Sequence, residues 1–374
     1  MIRAAPRLRS VFRALTLAIK SEWRKSRIPN LVSMSRTIDR WDDGPRNTYF
    51  ITSDKGVFRC DPFGLHQVVD IHLYGCTIVG SRVFMGFYVD RDAILVEGRA
   101  AGLFKPGVRF EFRKLFSEFT SDTNERLHQI TAGGDIVWIA RTAAGAALRY
   151  ETRTGKLTNY TLLRDHFGTP VKRDINHINS IVQYGDVVLF TGTHCGNQSI
   201  VGMMHGTKVT AFGYRNVGVH DIYLTQSGFL FFDTFGPNRP DEGGVPVTEA
   251  GTLYPEIFSK PPGYVLRGAA QQGDEILIGS SHKGERKHRF KGNGQLLIFE
   301  GGNLRTVKRL PCAQVYQIIA TDGGMLEPPI PPPSAAEVRP MLERSLGAPL
   351  YEGEAHVSEV SVSDLALSPG TSLS

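Results

Sequence analysis

Short runs of Val, Ile, Leu and Phe recur along the chain, and a glycine stands shortly before each run. Runs of this length, rich in β-branched and aromatic residues and bounded by glycine, predict β-strands. The glycines lie 54, 51, 43 and 45 residues apart; they are Gly80, Gly134, Gly185, Gly228 and Gly273. A period of about 40 to 50 residues with roughly four strands in each unit is typical of propeller blades.

A sixth unit is divided between the two ends of the repeat region. The segment VYQIIATDGG from Val315 has the pattern of an inner strand, and TYFITSDKGVFRCD from Thr48 has the pattern of outer strands. Pairing the two would complete one blade and remove exposed sheet edges. The sequence therefore predicts an all-β fold, a six-bladed β-propeller over residues 45–325 in which N- and C-terminal strands close one blade.

The segments on either side of the repeats differ from them in composition. Residues 7–27 place apolar side chains at helical spacing opposite Arg and Lys, which predicts a basic amphipathic helix within a helix-and-linker region at 1–44. This helix either contacts an anionic membrane surface peripherally or packs on the propeller; a cleaved organelle-targeting peptide is a third alternative. Residues 326–374 are acidic and rich in Pro and Ser, which predicts a disordered tail.

Charge and composition narrow the class of protein. The formal net charge of +6 is unevenly spread, with +7 in residues 1–28 and −6 in residues 322–374. The middle is only mildly basic, which argues against a nucleic-acid partner. The four cysteines form no CxxC pair, and no apolar run approaches about 20 residues. Since no secretory signal is evident either, we expect a cytoplasmic protein, peripheral at a membrane if the helix binds one.

Three histidines stand eight residues before a glycine in separate repeats: His72 before Gly80, His177 before Gly185 and His220 before Gly228. In a propeller the inner strand of each blade runs beside the central channel, and its first residues line one mouth of that channel. We therefore expect the three imidazoles to occupy equivalent positions around the mouth.

Other polar residues belong to the same mouth by this reasoning. His128 and Arg267 each stand six residues before their glycine, and a difference of two keeps a side chain on the same face of a strand. Tyr316 or Gln317 is the counterpart in the divided blade. Loops and neighbouring positions on the same face add four candidate substrate-binding residues: His194, Asn197, Asp221 and His282.

Such a cluster supports two kinds of chemistry. His72, His177 and His220 could hold one divalent metal ion, zinc or manganese, with a coordination position left for water or substrate. Without a metal, the same imidazoles could transfer protons as acid and base. In either case Arg267 would bind an anionic group. No nucleotide cofactor is expected. A histidine at a strand entrance also often has a purely structural role, and that alternative stays open.

The architecture resembles six-bladed propeller enzymes with histidines in the channel mouth. The residue types are similar to those of peptide-amidating lyases, which hold zinc on three histidines beside an arginine and a tyrosine. The segments HINSIVQYGDVVLFTG and VHDIYLTQSGFLFFDT resemble blades of bacterial arylsulfate sulfotransferases. The resemblance covers short segments only, and it implies site roles for His72, His177, His220 and Arg267.

Two functions follow as hypotheses. The first is a metal-assisted or His-catalysed lyase, hydrolase or group-transfer enzyme that acts on an anionic small molecule or glycan at the channel mouth. The second is a non-catalytic scaffold that binds a protein or glycan and is tethered by its basic N-terminal helix. The repetition of polar residues at the mouth favours the enzyme.

Overall fold

The structure is a computed structural model, which describes twelve ranges of the chain. These are residues 31–34, 36–89, 92–119, 127–142, 144–163, 176–194, 198–214, 218–225, 228–233, 264–282, 290–327 and 330–361. The predicted N-terminal helix at 7–27 lies outside the described residues, as do residues 362–374.

The described residues form 25 strands and two helices. The first strands are β1 Arg36–Arg40, β2 Tyr49–Ser53, β3 Gly56–Asp61, β4 Gly64–Val69, β5 Leu73–Val79, β6 Arg82–Val89, β7 Asp92–Arg99 and β8 Arg113–Phe119. The next are β9 Leu127–Gly133, β10 Ile136–Arg141, β11 Ala146–Glu151, β12 Leu157–Thr161, β13 Asn176–Tyr184, β14 Val187–His194, β15 Gln198–His205 and β16 Lys208–Tyr214. The last are β17 Val219–Thr225, β18 Gly228–Asp233, β19 Tyr264–Gln272, β20 Glu275–His282, β21 Gln295–Glu300, β22 Asn303–Arg309, β23 Val315–Ala320, β24 Tyr351–Glu354 and β25 His356–Val360. The helices are α1 Ala101–Phe104 and α2 Ala335–Leu346.

The strands are arranged as a β-propeller with five blades. The five blades have the strand orders β1-β4-β3-β2-β23, β5-β6-β7-β8, β9-β10-β11-β12-β25, β13-β14-β15-β16-β24 and β19-β20-β21-β22. The prediction of six blades was wrong: where a further blade was expected, β17 and β18 pair only with each other among the described residues. This two-stranded sheet lies between the blades of β13 and β19.

The ring closes where the early strand β2 meets the late strand β23, as the sequence predicted. The two strands pair antiparallel, with Tyr49 opposite Ala320 and Ser53 opposite Val315. Neighbouring inner strands contact one another around the whole ring: β23, β5, β9, β13, β17, β19 and then β23 again. The hydrophobic core consists of clusters that each join adjacent sheets, such as Phe50 of β2 with Phe87 of β6. The apolar residues of each strand therefore stabilise the contacts between sheets.

A buried carboxylate fixes the chain just before β2. Glu275, at the start of β20, is fully buried and accepts hydrogen bonds from the backbone N–H of Arg46 at 2.6 Å and of Asn47 at 3.1 Å. The guanidinium of Arg305 lies 3.4 Å from the same carboxylate. These donors compensate the desolvation of a buried charge, so Glu275 ties the entry of β2 to the neighbouring blade.

Segments outside the repeats cover the outer edges of three blades. β1 pairs with β4, β24 with β16 and β25 with β12, each antiparallel. The prediction that the C-terminal segment is disordered was therefore wrong for residues 335–360, which form a helix and two strands. An added strand satisfies backbone groups that an open sheet edge would leave exposed, which is the physical reason that a polar segment is ordered here.

The helix α2 anchors this C-terminal segment through two apolar side chains. Val338 and Leu342, four residues apart on one face of the helix, are fully buried in the cluster that joins β13–β16 with β17 and β18. At its start, the Glu337 carboxylate accepts a hydrogen bond from the Ser334 backbone N–H at 2.8 Å. The Ser334 side chain in turn accepts from the backbone N–H of Glu337, and this reciprocal arrangement is a capping box. No helix among the described residues is long and apolar enough to cross a membrane.

We predict that Leu342→Ala destabilises the propeller by about 2 to 5 kcal/mol, since it leaves a cavity in a fully buried cluster. Urea unfolding followed by circular dichroism would measure the change. Arg344→Ala, an exposed substitution in the same helix, is the control and should change the free energy of unfolding by less than about 0.5 kcal/mol. Equal effects of the two substitutions would contradict the packing described.

Candidate functional site

Every inner strand of the ring has a break in its pairing register close to the same mouth of the channel. The breaks lie at Tyr74 in β5, Asn179 in β13, His220 in β17 and Tyr316 in β23, and at two-residue positions in β9 and β19, residues 128–129 and 267–268. A bulge of this kind inserts an extra residue into one strand and redirects its side chain. The bulges therefore direct side chains from all six inner strands toward one space.

The bulged residues line a small polar cavity. Its lining residues are Tyr74, His128, Gln129, Asn179, His220, Asp221, Arg267 and Tyr316. In five of the inner strands the lining residue stands five positions before the last residue of the strand: Tyr74, His128, Asn179, His220 and Arg267. These five positions are the equivalent ones around the ring.

The predicted equivalence of His72, His177 and His220 was therefore wrong. His72 and His177 stand two residues before Tyr74 and Asn179, nearer to the strand entrances. The error arises because Gly228 is the first residue of β18, paired with Thr225. The corresponding glycines of the other two repeats lie inside the turn instead. Aligning the repeats by glycine displaced His220 by two positions.

Aromatic and imidazole rings form a continuous arc at the mouth. The ring of His72 is stacked on that of Tyr316, with centroids 5.4 Å apart and planes 6° from parallel. Tyr74 connects the arc, at 4.5 Å from Tyr316 and 4.8 Å from His128. His128 in turn meets His177 edge-to-face at 5.2 Å. The structure thus brings together four of the predicted residues, His72, His128, His177 and Tyr316, around Tyr74.

The other predicted pair, His220 and Arg267, forms a direct hydrogen bond. The Nη2 of Arg267 lies 2.7 Å from the Nε2 of His220. A guanidinium only donates hydrogen bonds, so this Nε2 accepts and carries no proton. It follows that His220 is the neutral tautomer with its proton on Nδ1. Since Arg267 is buried, with 7% of its surface exposed, the mouth holds a positive charge in a largely dry environment.

The residues next in sequence after the mouth residues join neighbouring inner strands by hydrogen bonds. Gln129 accepts a hydrogen bond from the Ile181 backbone N–H at 2.9 Å, and Asp221 accepts one from the Gly268 N–H at 3.0 Å. Gln129 also donates to Asp221 at 3.2 Å. Buried backbone groups near a bulge need such partners. This layer of side chains therefore holds the mouth residues at fixed positions.

Asp221 is a buried carboxylate under the mouth. Burial raises its pKa to about 6, although the Gly268 N–H bond and the positive charge of Arg267 act in the opposite direction. Sequence analysis proposed Asp221 as a substrate-binding residue. In the structure its two oxygens accept from Gly268 and Gln129, so it positions the strands of His220 and Arg267.

Two of the other candidate substrate-binding residues are the last residues of their strands, opposite the first residues of the inner strands. His282 ends β20, with its ring 6.1 Å from that of Tyr264. His194 ends β14, where its backbone is opposite Asn176. Asn197 lies outside the described residues. Their role in binding substrate stays a prediction.

The described residues do not assemble the predicted metal site. Within the described ranges, no three His, Cys, Asp or Glu side chains lie close enough together to hold a metal ion. The Nε2 of His220 is directed at the Arg267 guanidinium, so a metal ion there would face a fixed positive charge. The described geometry therefore does not bring His72, His177 and His220 together as one donor set, and a zinc or manganese ion on them stays a prediction.

Sequence analysis missed three lining residues: Tyr74, Gln129 and Asn179. A usable signal was present, because Tyr74 and Asn179 stand six residues before Gly80 and Gly185. His128 and Arg267 stand at that same distance from Gly134 and Gly273. Gln129 follows His128 directly, and only the bulge explains how adjacent residues of one strand reach the same cavity.

No family model matches this chain, and no curated protein matches it significantly. Among solved structures, the chain is similar to a chain of the nidogen/laminin complex, with a TM-score of 0.46 and 9% identity over 73% of this chain and 97% of the other. It is similar to the β-propeller domain of Cps50 (Swd1) from Myceliophteria thermophila, with a TM-score of 0.37 and 12% identity over 77% and 93%. A catalytically inactive virginiamycin B lyase from Staphylococcus aureus with quinupristin gives a TM-score of 0.38 and 16% identity over 64% and 84%. The propeller architecture is assigned here from the sheets themselves.

We predict that Asp221 makes the stability of the protein fall as pH rises from about 4 to about 6. In this window the folded state binds more protons than the unfolded state, because the pKa of Asp221 is raised from 3.8 to about 6 on folding. The free energy of unfolding should fall by on the order of 3 kcal/mol. Urea unfolding at a series of pH values should show that Asp221→Asn lacks this part of the slope. Identical pH slopes in both proteins would refute the assignment.

We also predict that His220 shows the Nδ1–H tautomer by nitrogen-15 NMR of the imidazole rings near pH 7. In Arg267→Leu the donor to Nε2 is lost, so this nitrogen should become available for protonation and its chemical shift should change. His205, an exposed histidine paired with Asp186, serves as the reference because it lies far from the site on the β15–β16 turn. An Nε2–H signal for His220 in the unmodified protein would contradict the hydrogen bond.

Proposed function

We propose that this protein is an enzyme, a lyase, hydrolase or group-transfer enzyme, which acts at the channel mouth on an anionic small molecule or glycan. The observation that carries the proposal is the hydrogen bond between the buried Arg267 and the half-buried His220 in a cavity lined also by His128, Tyr74 and Tyr316. Buried polar groups that converge on one cavity are the usual features of a catalytic site.

Arg267 has the role of holding the anion. Its charge is always present and its planar donors match the geometry of oxygen anions. The hydrogen bond to His220 fixes one side of the guanidinium, which orients the rest toward the cavity. Because the surroundings are buried, the interaction with an anionic substrate or with charge that develops in a transition state is stronger than it would be in water.

His128 and His177 have the role of proton transfer. His128 is buried and lines the cavity, and the half-buried His177 meets its ring edge-to-face at the rim. Imidazole exchanges protons near neutral pH, so a histidine within reach of a substrate proton acts as general acid or base. The two phenol groups of Tyr74 and Tyr316 add further donors beside these imidazoles.

Localisation, partners and a metal ion complete the proposal. We propose a cytoplasmic protein without a nucleic-acid partner, in which residues 7–27 contact a membrane surface peripherally or pack on the propeller. The predicted divalent metal ion also stays a prediction. Elemental analysis of the purified protein and of His177→Ala would test it independently of any substrate.

A binding scaffold is the second candidate function, and one feature of the rim favours it. Phe290 is 49% exposed and its ring lies 6.4 Å from that of His72, so the rim presents an apolar surface next to the polar cavity. Exposed aromatic residues of this kind commonly contact a protein or glycan partner.

The test is a screen of 4-nitrophenyl compounds that differ in their anionic group, namely the glucuronide, sulfate and phosphate, with the neutral acetate as the uncharged comparison. We expect turnover of at least one anionic compound, reduced about 10- to 100-fold in kcat/KM by Arg267→Gln because a charge-assisted hydrogen bond is lost. Arg99→Gln is the matched control, because Arg99 is a surface arginine with 77% of its side chain exposed.

Equal activity in Arg267→Gln and the unmodified protein would contradict the role of Arg267. Complete inactivity toward the whole screen, together with saturable binding of a glycan or protein at the same face, would favour the scaffold instead.

A further inference from the structure

We propose that the reaction at this mouth is an elimination on a uronate residue of an acidic glycan, with His128 as the base and Arg267 as the carboxylate-binding residue. This inference rests on the proposed function and narrows its substrate and reaction. Four features of the described mouth carry it: the type of its side chains, its charge, its size and the position of its aromatic rings.

The side chains favour proton abstraction over nucleophilic displacement. The cavity is lined by imidazole, phenol, amide, carboxylate and guanidinium groups, and the described lining residues include no serine, threonine or cysteine. Both oxygens of the lining carboxylate, Asp221, already accept hydrogen bonds from Gly268 and Gln129. Imidazole and phenol groups are suited to moving a proton between carbon and oxygen. A carbon-bound proton next to a carboxylate becomes acidic when a cation stabilises the developing charge, which is the role that Arg267 offers.

The charge of the described lining favours a monoanion. Arg267 contributes one positive charge, and Asp221, close enough to interact with it electrostatically, contributes a negative one when ionised. The imidazole of His220 is neutral because its Nε2 accepts from Arg267. A dianion such as a phosphate monoester would bring more negative charge than these groups compensate, at a high cost in a buried site. One carboxylate balances the single positive charge of Arg267 when Asp221, whose pKa is raised by burial, is protonated.

The size of the cavity indicates that only the charged group of the substrate enters it. The cavity leaves about 10 Å³ for the centre of a water molecule, which is room for roughly one ordered water. A carboxylate can replace such a water, whereas the sugar ring to which it is attached must stay outside. A substrate of this kind lies on the rim of the mouth with its neighbouring residues in solvent, as a glycan chain would.

The arc of rings provides the surface on which that sugar would lie. The half-buried His72 and Tyr316 have stacked rings beside the cavity, and the exposed Phe290 extends the same side of the rim. Such rings combine an apolar face with a polar edge, which matches the apolar and hydroxyl-bearing faces of a sugar. The anion-binding pair Arg267–His220 and the ring arc are therefore the two halves of one binding site.

The step balances without any further reactant. His128 takes the proton from the carbon that bears the carboxylate, and the electron pair of that bond forms a double bond to the next ring carbon. The bond from that carbon to the glycosidic oxygen breaks, and the Tyr316 hydroxyl protonates the leaving oxygen. The proton held by His128 is then released to solvent, and the Tyr316 phenolate takes up a proton from solvent, which restores both groups. No water is consumed and no oxidant or reductant is required.

His220 has a different role in this scheme. Since its Nε2 is engaged by Arg267, it is not the base but a positioning residue for the guanidinium. Its loss should therefore raise KM for the polymer more than it lowers kcat, whereas loss of His128 should lower kcat.

The first experiment uses polygalacturonate and alginate as probes, with carboxyl-reduced polygalacturonate as the neutral control. We expect cleavage of at least one polyuronate with the appearance of ultraviolet absorbance from an unsaturated uronate, and no cleavage of the reduced polymer. Mass spectrometry should show that the two products together weigh the same as the chain before cleavage, because elimination adds no water.

The variants identify the residues. His128→Ala and His128→Gln should each lower kcat by about 100- to 10,000-fold, the range for loss of a general base. Tyr316→Phe, which keeps the ring but lacks the hydroxyl, should lower kcat while KM stays similar. His205→Ala is the control, since His205 is an exposed residue paired with Asp186. Circular dichroism of each variant would confirm that it is folded.

Two outcomes would overturn the inference and leave the broader proposed function intact. The first is cleavage of a polyuronate into saturated products that have gained one water molecule, which would mean hydrolysis. The second is Arg267-dependent turnover of another anionic compound while both polyuronates stay uncleaved. Activity on a polyuronate that is unchanged in Arg267→Gln and both His128 variants would overturn the inference and the proposed site together.

Discussion

The arrangement depends on how backbone N–H groups next to the bulges of the inner strands are satisfied. Each bulge interrupts the ladder of its own sheet at the point where the strand turns toward the channel. The missing partners come from the neighbouring sheet: Gln129 accepts from Ile181, Ser180 from Ile222 and Asp221 from Gly268. One set of hydrogen bonds thus satisfies the bulges and joins the sheets. The side chains that line the mouth are positioned as a result, because each stands immediately before a residue of this layer.

Hydrogen bonds of this layer hold the lower part of the candidate site, whereas contacts between rings form its rim. Arg267 and His128 stand directly before Gly268 and Gln129, whose hydrogen bonds join neighbouring inner strands. His72 and His177 lie two residues further out, where their rings pack on those of Tyr74 and His128. A catalytic group requires a fixed position, whereas a surface that accepts part of a polymer tolerates movement. The positions of Arg267 and His128 next to this layer agree with the roles proposed for these two residues.

The sequence was sufficient for the propeller architecture, for the pairing of Val315–Ala320 with Tyr49–Ser53 and for the types of residue at the mouth. Glycine spacing could not identify register, because Gly228 begins a strand whereas Gly80 and Gly185 lie in turns. Bulges have no clear sequence signal, so Gln129 was missed, whereas the distance of Asn179 from Gly185 was a signal that could have been used. Residues 335–360 form regular structure because they pair with the edges of strands that are distant in sequence, and composition does not reveal such pairing. The pair Ser334 and Glu337 at the start of α2 was a local signal that the proline-rich surroundings obscured.

Ring closure between β2 and β23 also governs how the protein is made on the ribosome. Tyr49 pairs with Ala320, so the first blade stays incomplete until almost the whole ring has been synthesised. At about 5 to 20 residues per second, that delay is on the order of 10 to 50 s. During this interval β2 presents an open edge of buried, apolar sequence, which is a template for pairing with another nascent chain. Protection by a chaperone in that interval would therefore matter more for the yield of active protein than the stability of the finished ring.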